Sequence, residues 1–283
     1  MKAALCQFQI AFEEKEKNLQ RAARMIVAAA NEQAQIIFFP EMSFTGFSMH
    51  ISATGESDGR TIHLMQEYAR KYQIAVGFGW VKKAGEKGEN HYTVLDRTGA
   101  VLADYVKIHP FSFGGENKFF NPGSQTAVFT FAGHTFALFI CYDLRFPEIF
   151  RAVAADADVT VVAANWPEKR IAHWNKLLEA RALENQSWVL GINCVGDQQT
   201  LHYNGSSRAV SPEGETVEYL LDREGILFCK IQDEAACFRN SFPALQDRRP
   251  ALYQKLQESY SSPRQCRQSA CTESALCDKL KGE

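Results

Sequence analysis

Hydrophobic residues follow two patterns along the chain, short continuous apolar runs and longer segments with a helical period. The runs predict strands at residues 2–9, 36–39, 74–81, 91–96, 100–106, 127–131, 135–140, 158–164, 188–194, 208–210 and 225–231. The periodic segments predict helices at residues 14–32, 60–72 and 171–186, and a shorter helix that starts at Pro147. Strands that alternate with helices, with some hairpins between them, indicate an α/β layered fold with a mixed sheet.

Two polar loops interrupt this pattern. One is charged and contains glycine at residues 82–89, and the other is rich in aromatic residues and glycine at residues 109–123. The chain has no composition shift typical of a linker and no short-period repeat. Apolar periodicity disappears from about residue 261, so we predict one domain over residues 1–260 and a mobile tail over residues 261–283.

Composition excludes several classes of partner. A formal net charge of -2 over 283 residues gives no reason to expect nucleic acid or an anionic membrane as partner. No apolar run is long enough to cross a bilayer, and the apolar stretch after Met1 is too short for a secretion signal. We therefore expect a protein of the cytoplasm.

The eight cysteines support a reducing compartment. Cys6, Cys141, Cys194, Cys229 and Cys237 lack paired spacing, which predicts free thiols. Three more, at positions 266, 271 and 277, lie in the polar C-terminal segment. Their spacing matches no familiar metal site and no histidine lies near them, so we predict exposed thiols there and no metal or other cofactor.

The thiol of Cys141 has the sequence context of a reactive group. An apolar strand ends at Ile140, and Pro147 with Glu148 is typical of a helix start. Free backbone N–H groups at such a strand-to-helix elbow can lower the pKa of a thiol and stabilise an oxyanion. A buried structural cysteine is the alternative interpretation.

Two other predicted strands also end in side chains that could take part in chemistry. Phe38-Phe39-Pro40-Glu41 ends in a carboxylate and Tyr105-Val106-Lys107 in an amine. If these strands lay side by side with the strand of Cys141, the carboxylate could accept the thiol proton and the amine could stabilise an oxyanion. Glu116 in the aromatic loop could add a second carboxylate. Each of these charges could equally be a solvated surface group.

The three segments together resemble the nitrilase superfamily of carbon–nitrogen hydrolases in their order and spacing. They are Phe39-Pro40-Glu41, residues 105–109 and residues 140–148. The resemblance extends from residue 2 to about residue 253. It implies a four-layer α-β-β-α sandwich that assembles as a homodimer or a larger homo-oligomer through the helical face after the cysteine. It also implies a catalytic Glu-Lys-Cys triad.

Carried over to this chain, the resemblance makes Glu41 the general base, Lys107 the cation that stabilises the oxyanion and Cys141 the nucleophile. Glu116 matches a second glutamate that many members place beside the lysine. Other segments are similar to the omega-amidase branch, which hydrolyses the terminal amide of short α-keto acid amides such as 2-oxoglutaramate. These segments are Ala164-Asn165-Trp166-Pro167, His173-Trp174, residues 180–186, Phe242-Pro243 and residues 248–253.

A substrate with a distal carboxylate requires a cation in the binding site. Arg145 and Arg170 are the candidates because a guanidinium can bind a carboxylate through two hydrogen bonds. Arg145 could instead form a structural ion pair with Asp143 or Glu148. Aromatic side chains expected to line the site are Phe44, Phe113, Tyr142 and Trp166.

Other functional classes fit the sequence less well. A papain-like hydrolase requires a histidine partner, and the surroundings of the chain's histidines do not suggest one. A cysteine phosphatase requires an arginine six positions after the cysteine, where this chain has Pro147. Two alternatives stay open, another amidase or N-carbamoyl amine hydrolase of the superfamily, and a catalytically silent binding scaffold.

Overall fold

The computed structural model describes residues 1–260 of the 283-residue chain. The helices are α1 (Lys15–Asn31), α2 (Ile51–Thr54), α3 (Arg60–Tyr72), α4 (Glu116–Phe119), α5 (Pro147–Val153), α6 (Ile171–Asn185), α7 (Glu234–Ser241) and α8 (Pro250–Tyr260). Three short 3₁₀ helices span Ser112–Gly114, Cys141–Arg145 and Glu168–Arg170.

The strands are β1 (Lys2–Gln7), β2 (Ile36–Phe38), β3 (Ala75–Ala84), β4 (Lys87–Leu95), β5 (Val101–Val106), β6 (Phe120–Asn121), β7 (Ala127–Phe131), β8 (His134–Ile140), β9 (Val159–Ala164), β10 (Trp188–Asn193), β11 (Val195–Gln198), β12 (Leu201–Val210), β13 (Thr216–Leu221) and β14 (Gly225–Lys230). They form two seven-stranded sheets. The first has the order β14-β1-β2-β3-β4-β5, with β6 paired to β4. The second has the order β11-β12-β10-β9-β8-β7, with β13 paired to β12.

Strand direction brings the ends of several strands to one edge of each sheet. In the first sheet β1, β2 and β3 are parallel, and β4 is antiparallel to both β3 and β5. Strand β5 therefore runs in the direction of β2 and β3. In the second sheet β8, β9 and β10 are parallel. The carboxyl ends of such strands are where open α/β sheets place their functional side chains.

A hydrophobic core fills the space between the two sheets. Phe38 of the first sheet and Phe136 of the second are both fully buried, and their ring centroids lie 6.2 Å apart. Leu5 and Leu138 belong to the same cluster. Burying one such side chain stabilises the fold by about 2 kcal/mol. This shared core holds the two sheets together and thereby fixes the distance between groups on different sheets.

Helices cover the outer face of each sheet. On the first sheet, Leu19 and Ile26 of α1 and Met65 of α3 pack in a second core with Ile37 of β2. On the second sheet, the ring of Phe150 in α5 stacks on Phe139 of β8 with centroids 3.9 Å apart. Trp174 and Leu178 of α6 are fully buried in that layer. The four-layer α-β-β-α sandwich implied by the sequence resemblance is therefore confirmed.

Several elements differ from the sequence predictions. Residues 82–89 are not a loop, because β3 and β4 continue through them as a paired hairpin with a turn at residues 85–86. Strand β12 starts seven residues before the predicted strand at 208, and β11 and β13 were not predicted. The signals were weak because residues 195–207 are polar and rich in glycine and serine, and periodicity alone does not show which strand they pair with.

The chain separates into a compact unit over residues 1–245 and a second unit that begins at Gln246. Within the described residues the second unit contains helix α8. The domain over residues 1–260 stays a prediction, and the predicted tail with its three cysteines lies outside the described residues. No helix within residues 1–260 combines the length and the apolar character that a bilayer crossing requires.

Candidate active site

Cys141 lies at the predicted elbow between a strand and a helix. Strand β8 ends at Ile140, and the 3₁₀ helix that follows begins with Cys141 itself. Its φ of +47° is in the left-handed region, which non-glycine residues adopt at a cost of about 1–3 kcal/mol and often at functional sites. The first N–H groups of a helix have no partner within it, so the backbone N–H of Tyr142 is available to a ligand near the thiol.

Glu41 follows β2 in a tight segment that crosses strand β3. The N–H of Phe39 donates to the carbonyl of Gly77, and the N–H of Ser43 donates to the carbonyl of Gly79. A Cβ added to Gly79 would lie 2.4 Å from the backbone nitrogen of Met42, so only glycine permits this close approach. The backbone around Gly79 thereby fixes the position of the Glu41 carboxylate.

Lys107 forms the centre of a buried charge cluster. It follows directly after β5, and its Nζ donates to Oε1 of Glu41 and to Oε2 of Glu116, each at 2.8 Å. Lys107 is 1% exposed and both glutamates are fully buried. The loop at residues 109–123 folds back through a 3₁₀ helix and α4, which returns Glu116 to the lysine.

Asn90 of β4 lies between the two carboxylates. Its Nδ2 donates to Oε1 of Glu41 at 2.9 Å and to Oε1 of Glu116 at 3.1 Å. Strand β4 lies between β3 and β5, so its side chains can reach groups at both neighbouring strand ends. Sequence reasoning missed Asn90, because a polar residue within a predicted strand gives no signal of its own.

Asp143 joins the elbow of Cys141 to the strand that carries Lys107. Its buried carboxylate accepts hydrogen bonds from the N–H of Ile140 at 3.0 Å and from the hydroxyl of Tyr105 at 2.8 Å. It also accepts one from the backbone N–H of His109 at 3.0 Å. These bonds link β8 of the second sheet to β5 of the first. The strands of Glu41, Lys107 and Cys141 therefore do not lie side by side in one sheet, and the site spans both.

The environment of Cys141 keeps its sulfur protonated. Burial and the carboxylate of Glu41 raise the pKa of the thiol well above its usual value, and the ammonium of Lys107 only partly opposes them. The pKa of Lys107 is also raised, because the attraction of Glu116 and Glu41 outweighs the effect of burial. The resting site thus contains a neutral thiol beside a permanently charged ammonium and two carboxylates.

Asn165 connects the thiol to Glu41 from the second sheet. It directly follows β9, and its backbone N–H donates to Oε2 of Glu41 at 3.0 Å. Its carbonyl oxygen accepts a long hydrogen bond from Sγ of Cys141, at 3.8 Å. Asn165 therefore holds the carboxylate in place next to the sulfur.

The thiol opens into a pocket of about 430 Å³, measured with its open mouth. Cys141, Tyr142, Arg145, Trp166 and Arg170 were predicted for the site and all line this pocket. The other lining residues, which sequence reasoning missed, are Phe47, Phe111, Asn165, Pro167, Leu201 and Tyr203. Phe111 lies in the loop whose aromatic content marked it as unusual.

Two predicted pocket residues do not line it. Phe44 is buried in the core on the outer face of the first sheet, where its ring lies 6.1 Å from that of Phe78. Phe113 is 60% exposed and contacts the pocket only indirectly, through Phe111 and Arg170. The sequence did not show in which direction these aromatic side chains point. Phe47, three positions after Phe44, lines the pocket instead.

Both arginines place a guanidinium at the pocket. That of Arg145 lies over the ring of Trp166, 4.9 Å from its centroid, and that of Arg170 lies 5.5 Å from the centroid of Phe111. Among residues 1–260, neither arginine forms an ion pair with a carboxylate within 4 Å. Asp143, the alternative partner of Arg145, instead binds Tyr105 and His109.

The two guanidinium groups make the pocket electropositive. Burial and the nearby charge of Arg170 lower the pKa of Arg145, although it stays far above neutrality for a guanidinium. Nη2 of Arg145 lies 3.2 Å from Nδ1 of His173, and neither guanidinium has a carboxylate partner among the described residues. Two such cations beside apolar walls favour an anionic ligand. Within residues 1–260, no group of three or more His, Cys, Asp and Glu side chains could hold a metal ion.

Comparisons with known proteins agree with this geometry. The sequence profile described as carbon-nitrogen hydrolase matches residues 2–239. A 2-oxoglutaramate amidase of Bacillus subtilis (strain 168) is 30% identical over 254 residues, which cover 87% of this chain and 97% of the relative. Omega-amidase YafV of Escherichia coli (strain K12) is 32% identical over 215 residues, which cover 75% of this chain and 83% of the relative.

A solved structure shows the same fold with a modified nucleophile. It is a mutant of the amidase from Nesterenkonia sp. AN1 that shows the result of Michael addition of acrylamide at the active site cysteine. Its TM-score is 0.81 at 27% sequence identity, covering 90% of this chain and 99% of that chain. From the profile match and the relatives together, this chain belongs to the carbon–nitrogen hydrolase family of the nitrilase superfamily and resembles its omega-amidase branch.

Proposed function

We propose that this protein hydrolyses the terminal amide of a short carboxylate-bearing substrate of the 2-oxoglutaramate type to an acid and ammonia. It is a carbon–nitrogen hydrolase that acts on amides. One observation carries the assignment to this site. The thiol of Cys141 lies beside the buried cluster of Glu41 and Lys107 and lines the same pocket as two guanidinium groups that have no carboxylate partner among the described residues.

The first half of the reaction forms a thioester. Glu41 accepts the proton of the Cys141 thiol as the sulfur attacks the amide carbon, which explains why a neutral resting thiol suits this site. Negative charge develops on the amide oxygen, where the ammonium of Lys107 and the backbone N–H of Tyr142 stabilise it. The protonated Glu41 then gives its proton to the leaving nitrogen, and ammonia departs.

The second half releases the acid. Glu41 is again a carboxylate and accepts a proton from the attacking water, which adds to the thioester carbon. The same two donors stabilise the second tetrahedral intermediate. Its collapse expels the sulfur of Cys141, which recovers its proton from Glu41. Glu116 positions Lys107 throughout, because its Oε2 accepts a hydrogen bond from the ammonium at 2.8 Å.

The pocket supports a carboxylate at the far end of the substrate. Arg170 and Arg145 lie on pocket walls and have no carboxylate partner among the described residues. Tyr142 and Trp166 provide apolar surface between the sulfur and these cations. Because each guanidinium can give two parallel hydrogen bonds, the pair favours a substrate that ends in a carboxylate.

Three further expectations from the sequence belong to the same proposal. We propose that residues 1–260 form the catalytic domain, that the enzyme works in the cytoplasm, and that it assembles as a homodimer or larger oligomer. Five free cysteines among the described residues support a reducing compartment. Light scattering of the purified protein tests the assembly, and a mass of about one 31.8 kDa chain would contradict it.

Ammonia release from a substrate panel tests the function. The panel contains 2-oxoglutaramate, 2-oxosuccinamate, glutamine, a neutral aliphatic amide, an N-carbamoyl amine and a nitrile, with Cys141→Ala as the control variant. We expect fast turnover of the two keto acid amides only. Fast turnover of another panel member alone would still support the catalytic triad but would refute the proposed substrate class. No turnover of any member would favour the binding-scaffold alternative.

A further inference from the structure

Tyr203 is a buried pocket residue that the proposed mechanism leaves without a role. It lies on β12 and is 2% exposed, yet it lines the pocket beside Cys141. Leu201, two positions earlier on the same strand, also lines the pocket. Side chains two apart on a strand point to the same face, so β12 presents one apolar and one hydroxyl-bearing side chain to the substrate.

The hydroxyl of Tyr203 has no hydrogen-bond partner among residues 1–260. Other buried tyrosines contrast with it. The hydroxyl of Tyr92 donates to the carbonyl of Phe39 at 2.8 Å, and that of Tyr105 donates to Asp143 at 2.8 Å. The Tyr203 hydroxyl is not one of the fully enclosed side-chain atoms without a partner, and because the residue lines the pocket, a ligand that fills the pocket can supply that partner.

Tyr203 lines the same pocket as the reacting thiol and the guanidinium of Arg170. Burial raises the pKa of Tyr203, the nearby acidic groups of Cys194, Cys141 and Glu41 raise it further, and Arg170 opposes them. Its hydroxyl is therefore within electrostatic range of both the nucleophile and one cation. A phenol whose pKa is raised stays protonated near neutral pH and acts as a donor.

In a keto acid amide, the amide carbon must contact the sulfur of Cys141, and the carboxylate must bind a guanidinium. Between its amide and its carboxylate, the substrate has methylene groups and one ketone, whose oxygen can accept a hydrogen bond but cannot donate one. Leu201 offers apolar contact for the methylene groups. Among the described pocket side chains, Tyr142 and Tyr203 each offer an uncharged hydroxyl without a protein partner, and Tyr203 is the more buried of the two.

We infer that the Tyr203 hydroxyl donates a hydrogen bond to the 2-oxo group of the substrate and so selects α-keto amides over amides of simple carboxylic acids. This inference rests on the proposed function. A substrate that covers the hydroxyl without offering an acceptor leaves a buried donor unpaired, and such mismatches produce strong discrimination. Tyr203 is thereby a specificity-determining residue of the site.

The test compares 2-oxoglutaramate with glutaramate, which has the same chain length and carboxylate but no ketone. For each substrate, kcat and KM are measured on the wild type, on Tyr203→Phe and on Tyr219→Phe. Tyr219 is 60% exposed on β13 and serves as a matched tyrosine control. We expect Tyr203→Phe to lower kcat/KM for 2-oxoglutaramate by about 10- to 100-fold and to leave kcat/KM for glutaramate unchanged or higher, because glutaramate no longer buries an unpaired donor.

Thermal unfolding separates this role from a structural one. Loss of a hydroxyl that has no protein partner should leave Tm unchanged or slightly higher, whereas loss of a structural hydrogen bond would lower it. An equal loss of activity on both substrates, or no loss on either, would overturn the inference. If wild type hydrolysed neither substrate, the proposed function itself would be refuted instead.

Discussion

The Nζ atom of Lys107 lies 2.8 Å from Oε1 of Glu41, and the two residues are 66 positions apart in the chain. Both side chains are almost fully buried. A buried ion pair of this kind is costly to form unless further hydrogen bonds satisfy its atoms, and Asn90, Glu116 and Asn165 supply them. The arrangement raises the pKa of the lysine, which therefore stays charged, and in the proposed mechanism the glutamate is the base.

Replacing the nucleophile should abolish turnover without unfolding the protein. We expect Cys141→Ala to lower kcat/KM for 2-oxoglutaramate on the order of 10⁴-fold or more, because no other described side chain can form the thioester at this position. Cys237→Ala, which removes an exposed thiol on α7, should retain wild-type activity. Circular dichroism verifies the fold of both. Activity of Cys141→Ala near wild type would refute the mechanism.

Alkylation of Cys141 should increase with pH into the alkaline range. The pKa of its thiol is raised well above 9.0, the ordinary value for a cysteine thiol. The thiolate fraction is therefore small at neutral pH and grows only in the alkaline range. The measurement is the rate of inactivation by iodoacetamide from pH 6 to pH 10, with mass spectrometry to confirm the modified residue. A rate that levels off below pH 8 would show a preformed thiolate and contradict this view of the resting site.

Removing the central ammonium should affect both stability and catalysis. In Lys107→Met, two buried carboxylates lose their shared cation, and we expect a loss of about 3–5 kcal/mol in the free energy of unfolding. In whatever protein remains folded, kcat should fall by about 10²- to 10³-fold because the oxyanion loses one donor. Urea unfolding and steady-state kinetics measure the two effects.

The matched control for that change is Lys118→Met, which removes an exposed lysine two residues after Glu116. It should leave both quantities within error of wild type. If Lys107→Met retained wild-type kcat, the ammonium would have only a structural role and the oxyanion would depend on backbone donors.

Binding of the substrate carboxylate should depend on Arg170. We expect Arg170→Ala to raise KM for 2-oxoglutaramate by about 10- to 100-fold, since hydrogen bonds to a charged group contribute about 1.5–3 kcal/mol. KM for a neutral aliphatic amide should change little. Arg97→Ala, which removes an exposed arginine in the β4–β5 turn, is the control. Equal effects of Arg170→Ala on both substrates would assign the anchor role to another residue, with Arg145 next to be tested.

The sequence alone predicted most of the reactive groups. Apolar runs that end at Phe39, Val106 and Ile140 placed a carboxylate, an amine and a thiol at strand ends, because strand length and burial are local properties of the sequence. The strand-to-helix elbow at Cys141 followed from Pro147 and the strand before it, whereas its left-handed φ did not. The resemblance to a family supplied the layer order, which periodicity does not give.

Tertiary structure decided everything that depends on partners distant in the chain. Asn90 and Tyr203 reach the site because of strand order and hairpin register, which no local pattern encodes. Phe44 shows the converse, since it was predicted to line the pocket and its direction buries it in the core.

The chain's own pattern thus determined which side chains could react and at which strand ends they stand. It could not determine that Cys141 belongs to one sheet and Glu41 and Lys107 to the other, or that the arginines stay unpaired. Those facts depend on how two sheets pack through a shared core, and packing arises from contacts between residues far apart in sequence.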